Sequence, residues 1–419
     1  QSTSAGTLTT IAGGRRNEIF NLQNLGNLAG PLVLAGGPLG GDADAVVLQD
    51  GANTTGRDFT LSPGSIAFTG GGLPPVSFSG LESVGIVAGT GSDKLTVDLS
   101  GGASAPSGGV QFTGGEATGD NDRVEVIGYS GGATVVSHTA PEAGSVQFAS
   151  GGPITFAQSE RLSLGGAAAS LTLNLPNAAV QATLEDDAAA GVSQLTSNNA
   201  TFTTTAFANP TASLTVNAQG LADTLSLKAM DPAYAANTLL NTGGGDDTLN
   251  ILATPAGGQT SLNLGAGTDT AVFGATLAAA GTGAGTLAGI LGPIAAPVAA
   301  AENIIIDNSA DTQNRVWTAD SPGAGLGRVS VAGLAAAIAY NTAAPASLVI
   351  HAGAGDDQLV VDFSGGNASD PMPASGLTFN GREQILGDSM VLQGGTFGTV
   401  THAFANEHDG TVAISGAGV

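Results

Sequence analysis

Eight aspartates stand where a carboxylate could do chemistry: Asp93, Asp120, Asp122, Asp246, Asp247, Asp269, Asp356 and Asp357. Most follow a glycine-rich run and precede a strand-like segment, as in Gly89-Thr90-Gly91-Ser92-Asp93 and Gly243-Gly244-Gly245-Asp246-Asp247. Calcium takes about six to eight oxygens, and adjacent carboxylates with turn carbonyls could supply them. The same aspartate can instead accept hydrogen bonds from turn amides and do no more than hold the bend. Both uses are open at this point. Catalysis has thinner support. The histidines, His138, His351, His402 and His408, are scattered. His402, His408 and Asp409 could form a small metal cluster, or Glu407–Gly410 could simply be a hairpin turn. A polysaccharide lyase would need a Lys or Arg base beside acidic ligands. Arg57 and Arg315 do recur, each between a loop and an aromatic residue, which suits packing or an ion pair within a repeat. No nucleophile-elbow, zinc-protease or phosphate-loop pattern is present.

The elements that must carry these aspartates repeat. Val87–Gly102, VAGTGSDKLTVDLSGG, returns as His351–Gly366, HAGAGDDQLVVDFSGG, with ten of sixteen positions identical. Gly89 and Gly91 allow a turn with φ > 0. Leu95, Val97 and Leu99 then alternate with Lys94, Thr96 and Asp98, the pattern of a strand with one buried face. The duplication extends further. Arg57, Phe59 and Ser62-Pro63-Gly64 are answered by Arg315, Trp317 and Ser321-Pro322-Gly323, and Val110–Gly114 by Leu377–Gly381. Weaker copies of the turn lie at Gly220–Leu227, Gly243–Ile251 and Gly265–Phe273, with Asp223, Asp247 and Asp269 spaced 24 and 22 apart. Asp93 and Asp122 are 29 apart. Spacings of roughly 20–30 residues suit one coil of a β-solenoid, which would stack equivalent aspartates along one edge. Only Ala275–Ala301 and Ala332–Ala343 look at all helical, and their Gly and Pro content suits a surface excursion or Ala-rich strands equally.

These turns resemble the glycine- and aspartate-rich nonapeptide GGxGxDxLx of secreted bacterial RTX proteins. The matches fall at Ala88–Thr96, Thr242–Asn250, Leu264–Val272 and Ala352–Val360, each with a substitution at its first position. The longer unit around FTLSPGSIAFTGGG resembles the β-strand repeats of giant secreted surface proteins and adhesins. The RTX resemblance implies calcium held between successive turns by the eight aspartates, although the nonapeptides here are isolated rather than tandem.

Composition agrees with a surface protein. The 419 residues carry 10 basic against 34 acidic side chains, a net charge of −24. That argues against nucleic acid and against an anionic membrane surface. Charged residues make up 11%, well under the ~25% usual for globular domains, and aromatics 4%, so the core must be Val, Leu, Ile and Ala. There is no cysteine, hence no disulfide or thiolate site. No run reaches the ~18 apolar residues of a membrane span.

The sequence therefore points to an all-β, elongated β-solenoid built from degenerate repeats, with tandem β-sandwich repeats as the alternative. Four blocks are expected: an N-terminal strand segment and assembly arm (1–38), a first β-repeat block (39–185), degenerate middle repeats with an Ala/Gly-rich excursion (186–300), and a second block (301–419). The last block ends on GTVAISGAGV, which echoes GSIAFTGGG and stops mid-repeat. An open β-edge there would be covered by a strand of another copy, such as Gly6–Ile11, giving head-to-tail assembly. The expected function is that of a secreted, non-enzymatic structural protein of the cell surface or extracellular matrix, a fibre, sheath or adhesin subunit stabilised by calcium. Copies of itself and surface glycans are the expected partners. A carbohydrate-binding adhesin and a parallel β-helix polysaccharide lyase are the alternatives.

Overall fold

The computed structural model describes residues 3–14, 16–37, 43–117, 119–294, 303–323, 325–343, 345–364, 370–382, 387–405 and 410–415. The chain divides into two compact units, Gln1–Gln219 with Asp231–Ala236, and Gly220–Met230 with Asn237–Val419. Among the described residues there is no α-helix, only short 3-10 turns at Leu25–Asn27, Ser100–Gly102 and Leu277–Ala279.

In the first unit the strands are β1 (Thr9–Ala12), β2 (Ile19–Gln23), β3 (Leu32–Ala35), β4 (Ala45–Gln49), β5 (Asp58–Ser62), β6 (Ser65–Thr69) and β7 (Val76–Ser79). They continue with β8 (Ser83–Val87), β9 (Lys94–Asp98), β10 (Gly109–Thr113), β11 (Arg123–Ile127), β12 (Ala133–Ala140), β13 (Ala143–Phe148) and β14 (Ile154–Ala157). The last are β15 (Arg161–Leu164), β16 (Ser170–Asn174), β17 (Gln181–Asp186), β18 (Val192–Ser197), β19 (Thr204–Ala208) and β20 (Ser213–Asn217). They form two sheets between which the chain alternates. One runs β1-β3-β7-β6-β5-β9-β11-β15-β19-β18-β17. The other runs β2-β4-β8-β10-β14-β13-β12-β16-β20. Successive coils pair in parallel, and the unit is a two-sheeted β-solenoid.

The second unit holds β21 (Thr224–Leu227), β22 (Asn237–Asn241), β23 (Thr248–Ile251), β24 (Thr260–Asn263), β25 (Thr270–Phe273), β26 (Asn303–Asp307), β27 (Val316–Gly323) and β28 (Leu326–Val331). It ends with β29 (Ala337–Asn341), β30 (Ser347–His351), β31 (Gln358–Asp362), β32 (Leu377–Asn380), β33 (Ser389–Gln393), β34 (Thr399–Phe404) and β35 (Gly410–Ser415). Here β21-β23-β25-β26-β30-β32 is one parallel ladder. β22 pairs with β24, β29-β28-β27-β31-β33 form another sheet, and β34 and β35 are a hairpin.

Alternation explains the core. In β4, β5, β16 and β20 every second side chain is buried. Parallel register stacks these inward residues in columns, Val46 on Val84 on Val110 on Ile154, and Leu48 on Ile86 on Phe112 on Phe156. Each fully buried aliphatic contributes on the order of 1.5–3 kcal/mol. A lone coil would leave its column bare above and below, so stability comes from stacking.

The ladders are not wound coil upon coil throughout. Four times the chain doubles back twice, in β5-β6-β7, β12-β13-β14, β17-β18-β19 and β27-β28-β29, and in the first three the last strand then returns to the previous coil. β7 returns to β3 while β5 meets the later β9; β14 returns to β10 while β12 meets β16. Turn chemistry sets the first reversal. Pro63-Gly64 and Pro141-Glu142 put proline first and a positive φ second, +77° at Gly64 and +55° at Glu142.

The duplicated stretch occupies equivalent places. β9 pairs with β5, the first strand of a triplet, and β31 pairs with β27, also the first strand of a triplet. Phe59 lies beside Leu95 as Trp317 lies beside Leu359, and all four are buried. The turn glycines work differently from the expectation of positive φ, because neither Gly89 nor Gly91 adopts it. A Cβ on Gly89 would sit 2.0 Å from the Asn53 carbonyl oxygen, and one on Gly353 2.0 Å from that of Asp311. Close approach of the previous coil, not a left-handed turn, demands glycine there. Of the two helix-like segments, Ala332–Ala343 contains β29, and the described part of Ala275–Ala301 is irregular backbone after one 3-10 turn.

Candidate functional site

The aspartates lie where the coils turn into strands, and the structure sorts them into two rows. Asp93, Asp122, Asp247, Asp269 and Asp357 are buried, each at most 1% exposed. Asp120, Asp246 and Asp356 are more open and precede or flank them. The rows have different jobs. A buried carboxylate accepts the backbone N–H of its equivalent one coil earlier: Arg57 N to Asp93 Oδ1 at 2.7 Å, and Asp93 N to Asp122 Oδ1 at 2.6 Å. Asp122 N in turn donates to Glu160 Oε2. The same step links Asp223 N to Asp247 Oδ1 (2.7 Å), Asp247 N to Asp269 Oδ1 (2.9 Å), Arg315 N to Asp357 Oδ1 (2.7 Å) and Asp357 N to Asp388 Oδ1 (2.8 Å). On the other sheet Glu18 N donates to Asp44 Oδ1 and Asp44 N to Glu82 Oε2.

The residue just before the buried one stitches the opposite way, accepting from one coil later. Asn17 Oδ1 takes Ala43 N (3.0 Å), Ser92 Oγ takes Asn121 N (3.1 Å) and Asp246 Oδ1 takes Thr268 N (2.8 Å). Asn314 Oδ1 takes Asp356 N (3.0 Å), and Asp356 Oδ1 takes Gly387 N (3.2 Å). Asp120 bonds within its own turn, to Ala117 N at 2.7 Å. Where both are present, two adjacent side chains tie a coil to both neighbours, satisfying amides at the strand entry that the parallel ladder does not reach. Glu18, Asp44, Glu82, Glu160 and Asp388 belong to these ladders although they are absent from the eight singled out by sequence. A two-residue pattern, Asn or Ser followed by an acid, finds Glu18 (Asn17-Glu18) and Glu160 (Ser159-Glu160), while Asp44, Glu82 and Asp388 follow Ala43, Leu81 and Gly387 and carry no such signal.

Burial sets the electrostatics. It pushes the Asp93 carboxyl up to about 6 against the amides of Arg57 and Gly89, with Asp50 nearby adding to the rise. Burial likewise takes Asp122 up to about 7, opposed by the Asp93 amide and reinforced by the charges of Asp93, Glu160 and Asp120. Asp247, Asp357 and Asp388 are also raised, burial being the first cause. The second carboxylate oxygens of Asp122, Asp247 and Asp357 are buried without a hydrogen-bond donor. Asp122 Oδ2 faces Gly114, where a Cβ would lie 2.2 Å from it. Among the described residues no three His, Asp or Glu side chains gather as metal ligands would.

The recurring arginines clamp the triplets. Arg57 Nε lies 2.5 Å from Asp50 Oδ2, and its Nη1 reaches the Gly70 carbonyl in the β6–β7 turn at 3.4 Å. Arg315 Nε lies 2.7 Å from Asp311 Oδ2, and its Nη1 reaches the Ala332 carbonyl in the β28–β29 turn at 3.4 Å. Each arginine therefore ties a loop, the following strand and a return turn together. The histidines are dispersed. His138 is buried against Phe156 and Phe202, with Nε2 3.1 Å from Thr205 Oγ1, and burial takes it down to about 4. His351 is half-buried at the end of β30, 3.3 Å from the Asn380 amide. His402 lies on exposed β34 beside Phe404, while His408 and Asp409 fall outside the described residues. A cavity of about 300 Å³ under the β5–β6 turn holds one charged group, Asp98, kept below the usual carboxylate range by the Ser100 hydroxyl and amide.

No family model matches the chain, and no curated protein matches it either.

Proposed function

We propose that the chain is a non-catalytic structural subunit of a secreted cell-surface or extracellular layer that assembles end to end. The observation that carries this reading is one margin of each unit, where, among the described residues, the last strands of the ladders pair on one side alone. Among the described residues β1 pairs only with β3, and β2 only with β4. Ile11 and Ile19 are 42% and 70% exposed, and the inward Phe20 and Leu22 are only partly covered. In the second unit, Leu377 and Phe379 of β32 and Leu392 of β33 are partly covered, and Met390 is 47% exposed, although their column partners one coil back are buried. Such margins present unpaired backbone and apolar side chains to a further strand. The dedication of acids and arginines to stitching and clamping supports a scaffold over a site of turnover. A low-charge surface suits an assembled layer, and calcium, if it contributes, would act through the open row of Asp120, Asp246 and Asp356.

Negative-stain imaging and light scattering of the purified chain test the proposal. Concentration-dependent lengthening is expected, and Phe20→Lys or Phe379→Lys should abolish it. Particles that keep the mass of one chain at every concentration would refute it.

A further inference from the structure

In a chain of net charge −24, one whole sheet surface in the first unit carries no charge. The outward positions of β2, β4, β8, β10, β14, β13, β12, β16 and β20 are Ser, Thr, Asn, Gln, Gly, Ala, Val and one Ile. The companion sheet is unlike it, with Asp58, Lys94, Asp98, Arg123, Glu125 and Arg161 pointing outward from β5, β9, β11 and β15. The acids nearest the neutral face, Glu18, Asp44, Asp50, Glu82 and Glu142, sit on its rim, in the loops and turns that flank its strands. Asp44 and Glu82 accept backbone amides of the neighbouring coil there, and Glu18 accepts Gly14 N. The face is also ordered within itself: Asn174 Nδ2 reaches Ser137 Oγ at 3.2 Å, and Asn217 Nδ2 donates to Asn174 Oδ1 at 2.8 Å.

We infer that two copies of this chain pair face to face through the neutral sheet, related by a two-fold axis near β13 and β14. Strongly acidic copies repel each other, and only a surface without charge lets them approach without bringing like charges together. Side chains of this size allow sheets to pack about 10 Å apart. With strands about 4.8 Å apart and residues rising about 3.3 Å, the face offers roughly 700 Å² per copy, near the ~800 Å² per partner of a standard interface. Preordered Asn and Ser side chains lose less freedom on association. No aromatic ring lies on the face for a sugar to stack on, and no cation for an acidic partner. This lateral pairing is independent of the end-to-end contact.

The chain has no cysteine, so a single introduced thiol reports the contact directly. Ser145→Cys and Thr155→Cys, at the centre of the face, are expected to form disulfide-linked dimers under mild oxidation, while Ser163→Cys on β15 stays reduced. With end-to-end growth blocked by Phe379→Lys, the chain should sediment at twice 40.4 kDa, and adding Thr172→Glu with Thr215→Glu should return it to one chain with its thermal midpoint kept. A one-chain mass at ~100 µM, above the micromolar range expected for such an interface, would overturn the inference. So would equal cross-linking of Ser163→Cys. Capture of a one-chain species on insoluble polysaccharide, lost in the glutamate variant, would instead assign the face to a glycan.

Discussion

Asp122→Asn should stabilise the protein at alkaline pH and do nothing for it in acid. Asp122 is fully buried, its Oδ1 holds the Asp93 amide at 2.6 Å, and its Oδ2 has no donor. Its folded value of about 7 stands about three units above the ~3.9 of an unfolded chain, on the order of 4 kcal/mol at about 1.4 per unit. Because the folded value is the higher one, the native chain binds the extra proton between these limits. Stability from this group is complete below about pH 4 and is lost as pH rises through 7. Asparagine keeps the acceptor for Asp93 and removes the buried charge. The variant should therefore gain on the order of 3–4 kcal/mol over the parent at pH 8, or roughly 6–16 °C in midpoint for a unit of this size. At pH 4 the two should coincide. Thermal melts followed by circular dichroism between pH 4 and 8 measure this directly. A variant less stable than the parent by the same margin at every pH would refute the reasoning, because the carboxylate would then act only as a neutral acceptor.

His138→Leu should tilt the same profile the other way. A folded value of about 4 against ~6.5 unfolded means that stability is complete above pH 6.5 and falls toward pH 4, a loss the leucine variant escapes; identical acid slopes would count against it. Arg57→Ala strands the buried Asp50 carboxylate and should cost about 3–5 kcal/mol in denaturant melts. Arg315→Ala, whose pair is more exposed, should cost only about 1–2 kcal/mol. Trp317, the chain's single tryptophan, is fully buried and should emit as an apolar indole; Arg315→Ala should lower the midpoint of its red shift, and an unchanged midpoint would show that the clamp adds nothing. Millimolar calcium should leave the thermal midpoint within about a degree, since the buried carboxylates already hold amides; a rise of several degrees would show the open row binding the ion.

Strand identity was legible because period-two alternation has a single meaning once glycine and proline bound it. Leu95-Thr96-Val97 reads as a strand and is one. The repeat was legible too, since Arg57 and Phe59 recur as Arg315 and Trp317 in the same structural places, although Ser62-Pro63-Gly64 makes the β5–β6 turn while Ser321-Pro322-Gly323 lies within β27. The order of strands was not. Nothing in Val76–Ser79 says that it pairs with β3 rather than with its successor, because inward columns in neighbouring coils are chemically alike and long-range pairing is decided by the whole stack. The role of the glycines was misread for a related reason: the obstacle at Gly89 is Asn53, which lies 36 positions earlier. The carboxylates were found by their glycine-rich context, which picks out Asp93 and Asp247 but passes over Glu18 and Glu160, which do the same work without it.

The doubled-back triplets bear on how the polypeptide is made. As it emerges from its N-terminus, Leu32 in β3 is ready long before Val76, its neighbour in the sheet, exists. Asp58–Ser62 meanwhile arrives with nothing beside it and must wait for both the returning arm and the later Lys94–Asp98. Growth by adding one turn to a finished spiral is thus impossible at these points. Structure has to close in bursts of several strands, each a small kinetic gate set by contacts distant along the chain.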